Sequence, residues 1–100
     1  VAPHAHAGIL RALLVGDFNT PTDSPIFRPL TKTMKSARDK APETDREGTF
    51  NGFGSAPDTI VIDHLYFRGK LKCLRFATLT GDYGAPYISD HYPIAMVFTL

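Results

Sequence analysis

Three acidic residues of this 100-residue chain stand where chemistry could be done: Asp17 in Gly16-Asp17-Phe18-Asn19, Asp63 in Ile62-Asp63-His64, and Asp90 in Ser89-Asp90-His91-Tyr92-Pro93. Each ends an apolar run or lies in the loop before one. A carboxylate at the C-terminal edge of a buried strand sits where the ligand crevices of α/β folds open, because loops leave the packed layer there. Taken singly, each acid is more simply a turn or cap residue. Their value lies in the set.

The elements that must position them can be read from the chain. Ala12-Leu13-Leu14-Val15 is a short apolar run closed by Gly16, which predicts a strand buried on both faces, with Asp17 at its edge. Ser24 and Pro25 predict a helix start as N-cap and first helical residue, with Ile26, Phe27 and Leu30 facing inward and Pro29 keeping the helix brief or kinked. Lys32 to Glu47 is charged and contains Pro42, which predicts a solvated loop with at most a helical turn. Thr59 to Phe67 is rich in β-branched and aromatic residues and predicts a strand. After a Gly69-Lys70 turn, Leu71, Cys73 and Arg75 predict the second arm of a hairpin, and Pro93 to Leu100 a last strand with Ile94, Met96 and Phe98 on one face. Val1 to Gly8 reads as a loose leading segment and Gly81 to Pro86 as a loop.

Three ordered motifs, GDFN at Gly16 to Asn19, IDH at Ile62 to His64 and SDHYP at Ser89 to Pro93, make the chain resemble the C-terminal half of the endonuclease/exonuclease/phosphatase family over roughly Leu13 to Leu100. The resemblance implies an α/β fold, half of a four-layer DNase I-like sandwich built mainly on one β-sheet with one or two short helices. All of residues 1–100 would form one partial domain. It implies hydrolysis of a phosphodiester or phosphomonoester by an in-line activated water, with Mg2+ as cofactor and Mn2+ able to substitute. Residue by residue, Asp17 matches the carboxylate that positions or deprotonates the water, and Asn19 the amide that binds a phosphate oxygen. Asp63 matches the carboxylate that orients the imidazole of His91, and Asp90 the acid at or just behind the metal. The chemistry is coherent: a carboxylate-paired imidazole is held in one tautomer and stabilised as a cation that suits phosphate. Mg2+ takes one or two protein carboxylates and keeps several waters.

Other residues are weighed against simpler accounts. Adjacent strand residues point to opposite faces, so one of Asp63 and His64 can face a cleft; Asp63 is the expected one and His64 packs. Phe50 and Phe53, among Gly48, Gly52 and Gly54, could line a substrate pocket and stack on a base or sugar, although burial in the core is the simpler account of both rings. His4 and His6 lack a third ligand for a metal site. Cys73 is the single cysteine, which excludes an intrachain disulfide, and its apolar neighbours predict a buried thiol.

A net charge of +1 gives no footprint for a long nucleic-acid duplex, and no apolar run approaches the ~20 residues of a membrane span. Substrates consistent with the motifs are a nucleic acid, a nucleotide, a phosphoinositide or another small phosphate ester; neither the choice among them nor the compartment is written in the sequence. Family members run to about 250 residues. The resemblance places an asparagine and the principal metal-binding glutamate in an N-terminal half that these residues do not contain. A partner supplying that half, or a homodimer covering an exposed apolar sheet face, is therefore expected. The readings that remain are a catalytically incomplete binding or assembly module and, last, an unrelated small α/β domain.

Overall fold

The computed structural model describes residues 10–81, 84 and 87–100. The leading segment Val1 to Gly8 with His4 and His6, and residues 82, 83, 85 and 86 of the Gly81 to Pro86 loop, lie outside these residues. The fold is α/β, with antiparallel sheets and few, short helices. In chain order come β1 (Ala12–Asp17), a 3-10 turn (Pro25–Phe27), α1 (Arg28–Thr31), β2 (Lys35–Ser36) and α2 (Ala37–Lys40). A second 3-10 turn (Gly52–Gly54), β3 (Asp63–Arg68), β4 (Lys72–Thr78) and β5 (Ile94–Thr99) complete the order. The helix start lies where the sequence puts it: the Ser24 hydroxyl accepts the Ile26 N–H and Pro25 occupies the first turn. Pro29 lies within α1, which is limited to a single turn. Phe27 faces inward and Leu30 is half-buried, whereas Ile26 is exposed.

The strands form two sheets rather than one main one: three strands in the order β1-β3-β2, and the pair β4-β5. The expected hairpin across Gly69 and Lys70 does not pair. β4 turns away because both its edges are taken, one by β5 and the other by Glu43, whose carbonyl accepts the Phe76 N–H at 2.8 Å. β3 pairs with both neighbours and buries both its faces. Leu65 and Phe67 join Ala37, Ala41, Cys73 and Phe76 in the core, with Ile94 and Met96 packed against it. On the opposite face His64 and Tyr66 stack with Phe18 and Phe27, the ring centroids 4.9 to 6.3 Å apart.

Two expectations are corrected. β1 is not buried on both faces: it is an edge strand on which Leu13, Leu14 and Val15 are 50%, 40% and 57% exposed, since no described element covers them. The Lys32 to Glu47 segment is not merely a solvated loop, for it contributes Ala37, Arg38 and Ala41 to the interior. The Arg38 guanidinium lies 4.7 Å from the Phe76 ring centre and donates to the Asp45 carboxylate and to the Thr78 hydroxyl. Asp45 in turn accepts the Thr78 N–H at 2.7 Å. Burial lowers the Arg38 pKa despite Asp45 beside it. Burial works to raise that of Asp45, but the hydrogen bonds from Thr78 and Glu47 and the charge of Arg38 bring it below the usual carboxylate value. A charged pair hidden in this way is invisible to a search for apolar periodicity. Cys73 is buried as expected, and burial raises its pKa, which makes it a poor nucleophile.

Candidate functional site

Asp17 is the last residue of β1 and Asp63 the first of β3, and the antiparallel register sets their Cα atoms directly opposite each other. Like charges facing across a ladder repel. A protonated imidazole between them relieves this, and His91 is placed to provide one. Its Nδ1 lies 2.8 Å from Asp63 Oδ2 and its Nε2 lies 3.6 Å from Asp17 Oδ2. The His91 pKa is raised, first by the hydrogen bond to Asp63, against the opposing effect of burial, and further by the charges of Asp63, Asp17 and Asp90. The Asn19 N–H donates to Asp17 Oδ1 at 2.8 Å, which fixes the carboxylate with its other oxygen toward His91. Asn19 itself has φ 50° and is exposed.

Asp17, Asp63 and His91 together offer ligand atoms within 4.8 Å of one another, the group among the described residues with metal-holding geometry. They line an open cleft of about 300 Å³ with Gly16, Ser89 and Ile94. Asp90 lies outside that group, although its charge reaches His91. His64 points away from it: buried, its Nε2 sits 2.6 Å from the Thr20 carbonyl oxygen. Phe50 and Phe53 are not core plugs. Phe50 is half-buried with its ring edge-on to His91, the centroids 5.2 Å apart, and Phe53 is 64% exposed.

The segment holding this arrangement is the one in which the sequence singles out Phe50 and Phe53, but the residues that do the holding, Thr49 and Asn51, are ones to which sequence reasoning gave no role. Thr49 is fully buried, and its hydroxyl accepts the N–H groups of Ile62 at 3.0 Å and Asp63 at 3.1 Å. The Thr49 carbonyl accepts the Tyr92 N–H at 2.7 Å, and its own N–H donates to the Ile60 carbonyl at 2.8 Å. One residue thus grips the chain on both the Asp63 and the His91 sides. Asn51, two positions on, grips the His91 side alone: its N–H donates to the Asp90 carbonyl at 2.8 Å and its side-chain amide to the Ser89 carbonyl at 3.1 Å. Gly48 lets the strand of chain come this close, since a Cβ there would stand 2.4 Å from the Asp58 carbonyl oxygen. Small and polar residues among aromatics were the available signal, but nothing in their spacing names a hydrogen-bond partner.

Comparison with known proteins gives the family and the fold. The model of the Endonuclease/Exonuclease/phosphatase family matches residues 5–91. Among solved structures, the mannosyl-6-phosphatase of Bacteroides thetaiotaomicron VPI-5482 is 22% identical with a TM-score of 0.79, the match covering 99% of this chain and 42% of that one. An endonuclease/exonuclease/phosphatase from Bacteroides vulgatus is 23% identical with a TM-score of 0.80, covering 98% of this chain and 39% of the other. A functionally unknown conserved protein from Enterococcus faecalis V583 is 26% identical with a TM-score of 0.75, covering 89% and 36%. No curated protein matches the sequence. The chain therefore spans about two fifths of the length of these solved relatives, in keeping with the partial DNase I-like fold expected of its motifs. With its family model matched over most of its length, the chain belongs to the endonuclease/exonuclease/phosphatase family.

Proposed function

We propose that this chain carries the water-activating, phosphate-facing half of a phosphoesterase site. The observation that carries the reading is the line from Asp63 through His91 to Asp17, at 2.8 and 3.6 Å, along an open cleft. Asp63 accepts the Nδ1 proton in its hydrogen bond, so a protonated His91 turns its Nε2–H toward the cleft, where a phosphoryl oxygen would accept it. Asp17 Oδ2, exposed beside that group, takes a proton from a water aligned with phosphorus. Attack forms the new P–O bond, the bond to the ester oxygen breaks, and the departing oxygen takes a proton from solvent while Asp17 releases to solvent the one it accepted. Asn19, on the same turn as Asp17, donates to a non-bridging phosphate oxygen.

A divalent cation fits the donors here. Mg2+ uses one or two carboxylates and completes its shell with water and phosphate oxygens; of the grouped Asp17, Asp63 and His91, Asp17 is the carboxylate that His91 Nδ1 does not occupy and would hold the ion, with Asp90 behind it. When bound, Mg2+ or Mn2+ neutralises phosphate charge. Substrates within this reading are phosphate esters, from nucleotides and nucleic acids to sugar phosphates and phosphoinositides, and the mannosyl-6-phosphatase likeness favours the small ones.

The test is hydrolysis of a bis-aryl phosphodiester and an aryl phosphomonoester with Mg2+ or Mn2+ in excess, alongside Asp17→Asn and His91→Ala. Each variant should lose on the order of 10²–10⁴-fold, the contribution of a positioned proton-transfer group. Absence of turnover in every form would instead favour the incomplete binding or assembly module.

A further inference from the structure

His64 is packed away from the cleft, yet its hydrogen bond ends on the turn that follows Asp17 and carries Asn19. The Thr20 carbonyl oxygen can only accept, so the 2.6 Å contact requires a proton on His64 Nε2. The imidazole is buried among three aromatic rings, edge-on to Phe18 at 5.5 Å and to Phe27 at 4.9 Å, with Tyr66 at 6.2 Å. A side chain locked by packing in this way offers its N–H in one fixed direction.

Asn19 stands between two residues that His64 touches. Before it, Phe18 packs its ring on the imidazole and donates its N–H to the Ile62 carbonyl at 3.0 Å. After it, Thr20 accepts the His64 proton and donates its hydroxyl to the Phe18 carbonyl at 2.8 Å. Between these anchors Asn19 takes φ 50°, a left-handed backbone that asparagine tolerates but that persists only where the surroundings fix it. From that backbone its N–H reaches Asp17 Oδ1. We infer that His64 is a positioning residue: through Thr20 it fixes the turn so that the Asn19 amide meets the phosphate and Asp17 keeps its second oxygen toward His91. Neighbouring residues of β3 thus set the site from opposite faces, Asp63 aiming His91 and His64 aiming Asn19. The inference rests on the phosphoesterase reading of the cleft.

Nuclear magnetic resonance of the chain in Mg2+ tests this, with inorganic phosphate as the probe. In the wild type the His64 ring nitrogens should report a proton on Nε2, and phosphate should move the His91 ring and Asn19 side-chain amide signals. His64→Phe keeps a packed ring and removes the donor, with His64→Leu as the donorless form if that variant does not fold. The coupling between the Asn19 amide and α protons should change as its φ relaxes, and phosphate should bind about tenfold more weakly, the scale of one lost hydrogen bond. His64→Gln restores an N–H donor and should recover most of the affinity. Asn19→Ala should lose as much as His64→Phe, and the two together little more, because both act through one amide. A proton on Nδ1 in place of Nε2, His64→Gln binding as weakly as the donorless form, Asn19→Ala binding as the wild type does, or additive losses would overturn the inference alone. His91 signals unmoved by phosphate in the wild type would overturn the reading of the cleft, and the role of His64 with it.

Discussion

His91 is the residue on which the site's electrostatics turn. Its pKa is raised above the ordinary 6.5, mainly by the hydrogen bond to Asp63. A group whose folded pKa exceeds its unfolded one stabilises the fold fully below the unfolded value and loses that contribution as pH rises through the folded value. Stability should therefore fall as the pH climbs from about 6.5, the ordinary histidine value, through the raised pKa. Asp63→Asn removes the charged acceptor, so the His91 titration should move down and this part of the stability profile should flatten. Titrating the His91 ring signals in both forms, beside denaturant unfolding at several pH values, checks the sign. An unchanged midpoint in Asp63→Asn would mean that the 2.8 Å contact does not govern the ring.

Elements, more than single residues, decide whether the acids meet. The Thr49 to Asn51 segment has no regular structure of its own beyond an isolated bridge, Phe50 to His91, yet it fastens the start of β3 to the loop before β5. Thr49→Val keeps the shape and removes the acceptor for two N–H groups, which should cost about 1–3 kcal/mol of stability, the penalty of unsatisfied buried donors. Thr49→Ser should retain most of it. Urea unfolding measures the loss, and the His91 ring nitrogen shifts report whether Asp63 still holds the Nδ1 proton. At this scale the sequence was legible where physics is local: the Ser24-Pro25 start, the edge position of Asp17 and the alternation that sends Asp63 and His64 to opposite faces. It was silent where partners are distant. Nothing in Thr49 names Ile62 or Tyr92, nothing in Arg38 names Thr78, and the pairing of β4 depends on Glu43, far back in the chain. The motifs marked the residues that meet at the cleft, and the residues that hold them there carried no comparable mark.

Across the whole molecule, apolar surface is spread unevenly. Leu13, Leu14 and Val15 on β1 and Val97 and Phe98 on β5 are exposed, together with Leu100. Apolar surface of this kind favours association. The chain should therefore self-associate in a concentration-dependent way by sedimentation velocity, and Val15→Lys with Val97→Lys should shift it to monomer without loss of secondary structure. A monodisperse monomer with a sharp cooperative thermal transition would count against this. The antiparallel partnership of β1 with β3 has a consequence in time as well as in space. These strands are neighbours in the sheet, yet α1, β2 and α2 all lie between them in the chain, and His91 comes only after β4. Contacts of such long range form slowly, because the loop between them must lose its freedom before any pairing rewards it. Asp17 meets Asp63 only when that loop closes, and His91 joins them only when the chain beyond β4 returns to the same cleft. The chemistry thus waits on long-range closure, and a chain in which those contacts are not yet made carries three unconnected side chains in place of a site.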